Sequence, residues 1–487
     1  MSAAALAAKK WIPVIGLEVH CQLDTRTKLF CGCEYRFGAP PNTLTCPRCT
    51  GQPGSLPVLN REALGLAVRA ALALGADVAP WSKFDRKNYF YCDLPKGYQI
   101  SQYDRPFCTG GGITLPSGKK VRLTRIHLEE DAGKAIHDRG DTTLVDLNRS
   151  GVPLIESVSE AELASAEEAH DYLAALKEIL QYVGASRCDM EKGELRCDVN
   201  VSVHREGEPW GAKVEVKNVN SFRFVQQAIE HEIARQIEAY ESGDPARRPV
   251  QETRLFDSEK GVTRSMRSKE SAHDYRYFAE PDLPPVEIGA ALLEQQRSCV
   301  PELPASRRAR YAKELGIPAK EAAVLASERA LADFFETAAR VSGRPRECAN
   351  WITNEVLRAF GDPALGIDSV DAMQMKPSDL GEMIELIERG VIHNNAGRQL
   401  VPAMMKTGKR AKELVAELGL AQVTDSGQID RWCREALVGK DKIVADVKAG
   451  KPNAINALLG PVMKASGGKA NPEVVKAKLL EILGKDG

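Results

Sequence analysis

The 487-residue chain contains no apolar run of the roughly 20 residues that a membrane-spanning helix needs. The Ala-rich start, Met1 to Lys10, is too short in its apolar part for a secretory signal. It also lacks the arginines of an organellar presequence, since the first arginine is Arg26, so a cytoplasmic location is expected. Net charge is almost absent, at −1, and taken as a whole gives no sign of a nucleic-acid partner. Tandem repeats and low-complexity tracts are missing too. Cysteine is present, with 12 residues, but without the density of a disulfide scaffold. What remains is an ordinary globular composition, 43% hydrophobic and 27% charged, long enough for several domains.

The near-zero charge hides an asymmetry. From Lys406 onward there are 15 Lys/Arg and 10 Asp/Glu, a local net of +5. That leaves −6 on the rest of the chain. A basic tail suits contact with phosphates, and a solvated helical surface gives the same count.

The chain changes character near Val300. Before it, Val/Ile/Leu/Thr-rich segments punctuated by Gly, Pro and Asn predict strands at Ile12–Leu23, Lys120–Leu128, Leu144–Asn148, Val152–Ser157, Glu194–Val203 and Ala212–Val219. Helical spacing predicts helices at Asn60–Leu74, Ala164–Val183 and Ser221–Tyr240, the last with Ser221 as N-cap. Strands that do not alternate strictly with helices argue α+β with a largely antiparallel sheet. After Val300 helices are expected at Glu321–Val341, Asn354–Phe360 and from Pro377 to Leu418. A final stretch begins near Val423, turns at Ser466-Gly467-Gly468 and ends in a helix with Asn471 as cap and Pro472 at its first position.

Period-two counting places chemistry on strand faces. In "VIGLEVHCQL", Ile15, Leu17, Val19, Cys21 and Leu23 share one face, and Glu18, His20 and Gln22 the other. In "GELRCDVNVSV" the polar face carries Glu194, Arg196, Asp198, Asn200 and Ser202. "KVEVKNVN" aligns Lys213, Glu215 and Lys217, "RIHLEEDAGK" supplies Glu129 and Glu130, and "SGVPLIESVSE" puts Glu156 within an apolar strand, where a carboxylate needs a partner. Any one Glu-x-His is most often an exposed polar face. Several such strands forming one floor would give oxygen ligands and an imidazole for Mg²⁺ or Mn²⁺, with lysines for phosphate.

Cys31-Gly32-Cys33 and Cys46-Pro47-Arg48-Cys49 form two close pairs. This spacing suits a closed tetrahedral Zn²⁺ site with a structural role, and a redox pair is the alternative.

Taken together, "VIGLEVHCQL", "KFDRKNYFYCDLPKGYQISQYDRPF", "RIHLEEDAGK", "VDLNRSGVPLIESVSE", "ELRCDVNVSV", "EVKNVNSF", "DYRYFAEPDLPP", "NWITNEV" and "LLGPVMKASGGKANPEVV" resemble the GatB family, the B-type component of the tRNA-dependent amidotransferases. The resemblance runs from Ile12 to Leu483; Ser157, Ala161 and Ala279 depart from its expected Ile, Pro and Pro. It implies a cradle domain of glutamine-synthetase type over 1–296 with a zinc loop at 31–49, a helical domain over 297–405, and a YqeY-like tRNA-binding tail over 406–487. It implies Mg²⁺ on His20, Glu130 and Glu156 with Glu18 beside them. Lys87, Arg196, Asp198, Asn200 and Lys217 would line the same ATP-using cleft, and Lys464 and Lys469 would meet tRNA.

The implied reaction converts Glu-tRNA(Gln), Asp-tRNA(Asn) or both to the amides by a glutamine-hydrolysing carbon–nitrogen ligase. ATP turns the side-chain carboxylate into an acyl phosphate, and ammonia displaces the phosphate. Neither a Ser-Ser-Lys amidase signature nor a Cys glutaminase elbow is present. Ammonia would therefore come from an A-type glutaminase partner, with a C-type partner completing a heterotrimer. The competing readings are a zinc-stapled RNA-binding scaffold without catalysis and a stand-alone ATP-dependent amide ligase.

Overall fold

The computed structural model describes residues 10–137, 140–266, 275–422, 426–448, 454–467 and 469–484. The start of the Ala-rich segment, the Val423 boundary and Gly468 of the glycine turn lie outside the described residues. The chain divides into two compact units, Met1–Leu303 and Pro304–Gly487.

The first unit is built on a ten-stranded sheet. Its long members are β1 (Trp11–Gln22), β4 (Lys120–Glu130), β5 (Pro153–Ser159), β6 (Leu195–Arg205), β7 (Val214–Lys217), β8 (Glu252–Asp257) and β9 (Val262–Ser265). A separate three-stranded sheet consists of β2 (Asp85–Asn88), β3 (Tyr98–Ser101) and β10 (Phe278–Ala279), in the order β10-β2-β3. The large sheet runs β9-β8-β7-β6-β1-β5-β4 and ends on the short strands Cys108–Thr109 and Asp77–Val78. Neighbours are antiparallel except β7 and β8.

Three helices cover one face: α1 (Arg61–Ala73), α2 (Ala166–Tyr182) and α3 (Phe222–Glu241). Each begins where a side chain can satisfy free helix N–H groups. Asn60 Oδ1 accepts from the Glu62 and Ala63 amides, and the Ser165 and Ser221 hydroxyls accept from the Glu168 and Phe224 amides. Beneath them the alternation of β1 is realised: Ile15, Leu17, Val19 and Cys21 are buried in one core with Leu173, Leu176, Val225 and Ile229. Since period two sends Glu18 and His20 to the opposite face, burying this core aims the polar residues into the uncovered side.

Among its described residues the second unit has helices and no strands. It holds two cores. One joins Tyr311, Phe335, Leu380, Met404, Leu414 and Val415, and the other joins Ile429, Cys433, Leu458, Val462, Val475 and Leu479. Lys406, the expected start of the tail, lies inside helix Asn394–Thr407. The single helix expected over Glu321–Val341 is two, Ala319–Leu325 and Arg329–Ser342, because the Ser327 hydroxyl and amide both turn back to the Val324 carbonyl. At the last helix, Pro472–Ile482, Asn471 Oδ1 accepts from the Glu473 amide at 2.9 Å, the capping role expected of it. No helix among the described residues is long and apolar enough to cross a membrane.

Candidate metal centre on the sheet

Strand register assembles the site. β1 lies between β5 and β6, and β5 lies against β4. His20 faces Arg196 on one side and Glu156 on the other, while Glu156 faces His127. A row Arg196–His20–Glu156–His127 therefore crosses four strands on the uncovered face, and Glu129 follows two residues after His127 on that face.

His20 Nε2 lies 3.2 Å from Glu156 Oε2 and 3.6 Å from Glu129 Oε1. His127 Nε2 lies 3.1 Å from Glu156 Oε2 and 3.3 Å from Glu129 Oε2. The Ser101 hydroxyl, from the small sheet, donates to Glu129 Oε2 at 3.1 Å. Ligand atoms of His20, Glu129 and Glu156 all fall within 4.8 Å of one another, and the two carboxylates are buried. One imidazole and two buried carboxylates are a donor set for a hard divalent cation. Burial alone would lower the basicity of His127, but the charge of Glu156 and hydrogen bonds to Glu129 and Glu156 outweigh it and raise its pKa to about 9. Glu156 answers in the opposite sense: burial would raise it, and the His127 charge with bonds from both imidazoles holds it well below the usual carboxylate range. His127 Nδ1 is buried and has no hydrogen-bond partner.

Cations ring this cluster. The Lys87 ammonium lies 4.9 Å from the Tyr275 ring centroid; burial would lower its pKa, and the charge of Glu129, then Tyr277 and Glu156, raises it instead. Arg196 donates to Asp131 Oδ1 at 2.8 Å, and Asp131 also accepts from Gln22 at 3.1 Å. Further along the same face Lys217 donates to Asp198 Oδ2 at 2.7 Å and pairs with Glu215 at 3.0 Å. The Asn200 amide donates to Glu18 Oε1 at 2.9 Å, while its own Oδ1 is buried without a partner.

A second constellation sits in the loop after β1. Sulfurs of Cys31, Cys33, Cys46 and Cys49 lie within 4.8 Å of one another, and all four cysteines are free of disulfides. Lys28, fully buried, points its ammonium at Cys49 Sγ, 3.5 Å away, and donates to the Leu44 carbonyl at 2.8 Å. A hydrogen bond from Cys31, aided by the Cys46 amide and Lys28, pulls the Cys49 thiol down to about 4 against its burial. A thiolate in a convergent four-sulfur set fits a tetrahedral soft-metal site.

Two family models match the chain. One, described as the GatB/GatE catalytic domain, covers residues 13–294, and the other, described as the GatB domain, covers 333–483. The B subunit of the aspartyl/glutamyl-tRNA(Asn/Gln) amidotransferase of Geotalea daltonii is 49% identical over 478 residues, spanning 96% of this chain and 98% of that protein. The protein of the same name in Persephonella marina is 49% identical over 97% of this chain and 99% of its own, and that of Thermodesulfovibrio yellowstonii 47% over 96% and 98%. The chain belongs to the GatB family, the B subunits of the aspartyl/glutamyl-tRNA(Asn/Gln) amidotransferases. The likeness carried by the short sequence segments is thus a true kinship.

Within this GatB chain, the expected metal set needs one geometric correction. His20 and Glu156 come together as expected, but Glu130 does not join them; Glu129 does. The pleat is the reason. Ile126 and Leu128 are buried in the helix-covered core, so His127 and Glu129 point to the open face and Glu130 turns away. There Glu130 Oε1 accepts from the Lys96 ammonium and, at 2.9 Å, from the Ile100 amide. It lines a cavity of about 210 Å³ with Cys31, Cys49 and Lys96. His127 is absent from the expected set, although the same period-two count that selects His20 puts it on one face with Glu129, a carboxylate the sequence already singles out. Arg196, Asp198, Asn200 and Lys217 share the polar face of the sheet, where Arg196, Asp198 and Lys217 are engaged in ion pairs, and Lys87 is near enough to feel the charge of Glu129.

Proposed function

We propose that this chain activates the side-chain carboxylate of Glu-tRNA(Gln), Asp-tRNA(Asn) or both with ATP and then forms the amide. The observation that carries the reading is the His20–Glu129–Glu156 cluster, with the Lys87 ammonium near enough to feel the charge of Glu129 and Glu156, in a domain of this family. In this reading residues 1–296 are a cradle of glutamine-synthetase type, followed by a helical domain and a YqeY-like tail.

His20, Glu129 and Glu156 would hold Mg²⁺, which when bound offsets negative charge on the transferring phosphoryl group. The chain's own residues do the rest. Without a cation, His127 and His20 hold the buried Glu129 and Glu156 carboxylates below the usual carboxylate range; a bound cation would keep them ionised in place of His20, because a ligating imidazole is neutral. Lys87, held beside them, supplies a fixed positive charge toward the γ-phosphate. Arg196, oriented by Asp131, and Lys217, held between Asp198 and Glu215, supply two more. A carboxylate oxygen of the substrate attacks the γ-phosphorus and ADP leaves. Ammonia then attacks the acyl carbon, phosphate departs with the C–O bonding pair, and one proton is lost to give the amide.

Ammonia would arrive from an A-type glutaminase partner, within a heterotrimer completed by a C-type partner in the cytoplasm. Cys31, Cys33, Cys46 and Cys49 would hold a structural Zn²⁺. Lys464 and Lys469, both exposed beside the Ser466-Gly467 turn, would contact the tRNA backbone.

The test uses the assembled enzyme, γ-labelled ATP and each misacylated tRNA without an ammonia source. The expected result is ADP formation that requires the charged tRNA, with label recovered on the aminoacyl end and released as phosphate when ammonium is added. A scaffold would cleave no ATP with either tRNA, and that result would sink the proposal.

A further inference from the structure

The small sheet β10-β2-β3 carries more than Lys87 and Ser101. Lys87 sits against the ring of Tyr275, and Tyr275 meets Tyr277 edge-on with ring centroids 6.0 Å apart. Tyr277 then stacks on Tyr103, centroids 4.1 Å apart and planes within 7° of parallel. A continuous aromatic path therefore leads from the Lys87 ammonium to a flat pair of rings. Tyr277 is near enough to the site to feel the charges of Lys87, Glu129 and Glu156. Tyr103, at the far end, is 57% exposed.

Its backbone is fixed. The Tyr103 amide donates to Asp85 Oδ2 at 3.0 Å, and Asp85, itself buried, pairs with Lys83 at 2.6 Å. A parallel aromatic pair with Tyr103 more than half exposed offers a π-face that a flat ring can cover.

We propose that the Tyr103–Tyr277 stack is a platform for an adenine ring, holding a nucleotide whose reactive end reaches the carboxylate–imidazole cluster. This rests on the function proposed above, because that reaction brings two adenosines to the site: that of ATP, and the 3′-terminal adenosine that carries the aminoacyl group. Stacking accepts the π-face of any base, so selection comes from what the rest of the nucleotide meets at Lys87 and the cluster. The open side of Tyr103 becomes the third layer of the stack when the base is bound.

The experiment measures KM for ATP and for aminoacyl-tRNA in the assembled enzyme carrying Tyr103→Ala, Tyr103→Leu or Tyr103→Phe. Stacking contributes about 1–3 kcal/mol per base, so Tyr103→Ala is expected to raise one KM by about 5- to 150-fold. Tyr103→Leu, which keeps bulk without a π-face, should follow Ala, and Tyr103→Phe should stay near the parent. A rise for ATP assigns the ring to the cosubstrate; a rise for the charged tRNA assigns it to the 3′ end. Unchanged KM values in Tyr103→Ala overturn the platform, as does a Leu variant that behaves like the parent. Loss of the partner proteins on size exclusion would also overturn it, by showing that Tyr103 packs against protein. None of these outcomes resembles failure of the underlying reading, in which the parent enzyme itself would show no tRNA-dependent ATP cleavage.

Discussion

Glu129 and Glu130 are adjacent and chemically identical, yet their surroundings separate them completely. Glu129 faces two imidazoles and the Ser101 hydroxyl, whereas Glu130 faces Lys96 and a backbone amide. Their amide variants should therefore diverge in calorimetric titrations with Mg²⁺ or Mn²⁺. Glu129→Gln removes a charged oxygen from the donor set and is expected to weaken divalent binding by at least about 10–100-fold, the loss typical of disturbing even the outer partners of a metal. Glu130→Gln should leave that affinity near the parent value. It should instead lower stability, by up to about 3–5 kcal/mol, because it strands the nearly buried Lys96 ammonium without its counter-charge. Equal metal affinities for the two variants would refute the assignment.

At the scale of elements, the loop between β1 and α1 depends on cross-links rather than on regular backbone pairing. Residues 31–57 contain no helix or strand among the described elements. Its order rests on the four converging cysteines and on side-chain bonds such as Asn42 to the Val145 carbonyl at 2.9 Å. It is tied to the turn ahead of β5, where Gly151, at φ +87°, takes a backbone conformation that favours glycine. Metal analysis of the purified chain should find about one zinc per molecule. Cys46→Ser should lose that zinc and lower the melting temperature, while the chemical step measured below the melt changes less. Full stability and activity in metal-free protein would count against a zinc staple. These cysteine pairs were readable because metal-ligand spacing is local. The small sheet β10-β2-β3 was not, since its strands are only two to four residues long and join positions nearly 200 residues apart.

At the scale of the molecule, charge and core structure meet in the tail. The last core begins at Ile429, while Ala411, Leu414 and Val415 belong to the preceding one. A truncation after Gln422 therefore removes the final core without opening its neighbour. The removed segment, from Val423 onward, carries 11 Lys/Arg against 8 Asp/Glu, a net of +3. If its lysines meet phosphates, each lost contact should reduce the slope of log affinity against log salt by up to about 0.9. The truncated enzyme is expected to show a higher KM for aminoacyl-tRNA and a flatter salt dependence, with KM for ATP retained. An unchanged salt slope accompanied only by lower stability would show that the tail serves packing alone.

The sequence by itself determined the order of the elements and much of their chemistry. It placed Ile15, Leu17, Val19 and Cys21 inward and Glu18 and His20 outward, predicted the Asn471 and Ser221 caps, and paired the cysteines, because alternation, capping and ligand spacing act over a few residues. Family membership was legible for the same reason, in many short segments along the whole chain. Only the tertiary structure decided which carboxylates share a site. That choice depends on register: Glu156 opposite His20, His127 opposite Glu156, and the pleat of β4 turning Glu129 toward them and Glu130 away. Register is fixed by burial of the apolar face against three helices, a long-range condition that no window of the sequence contains.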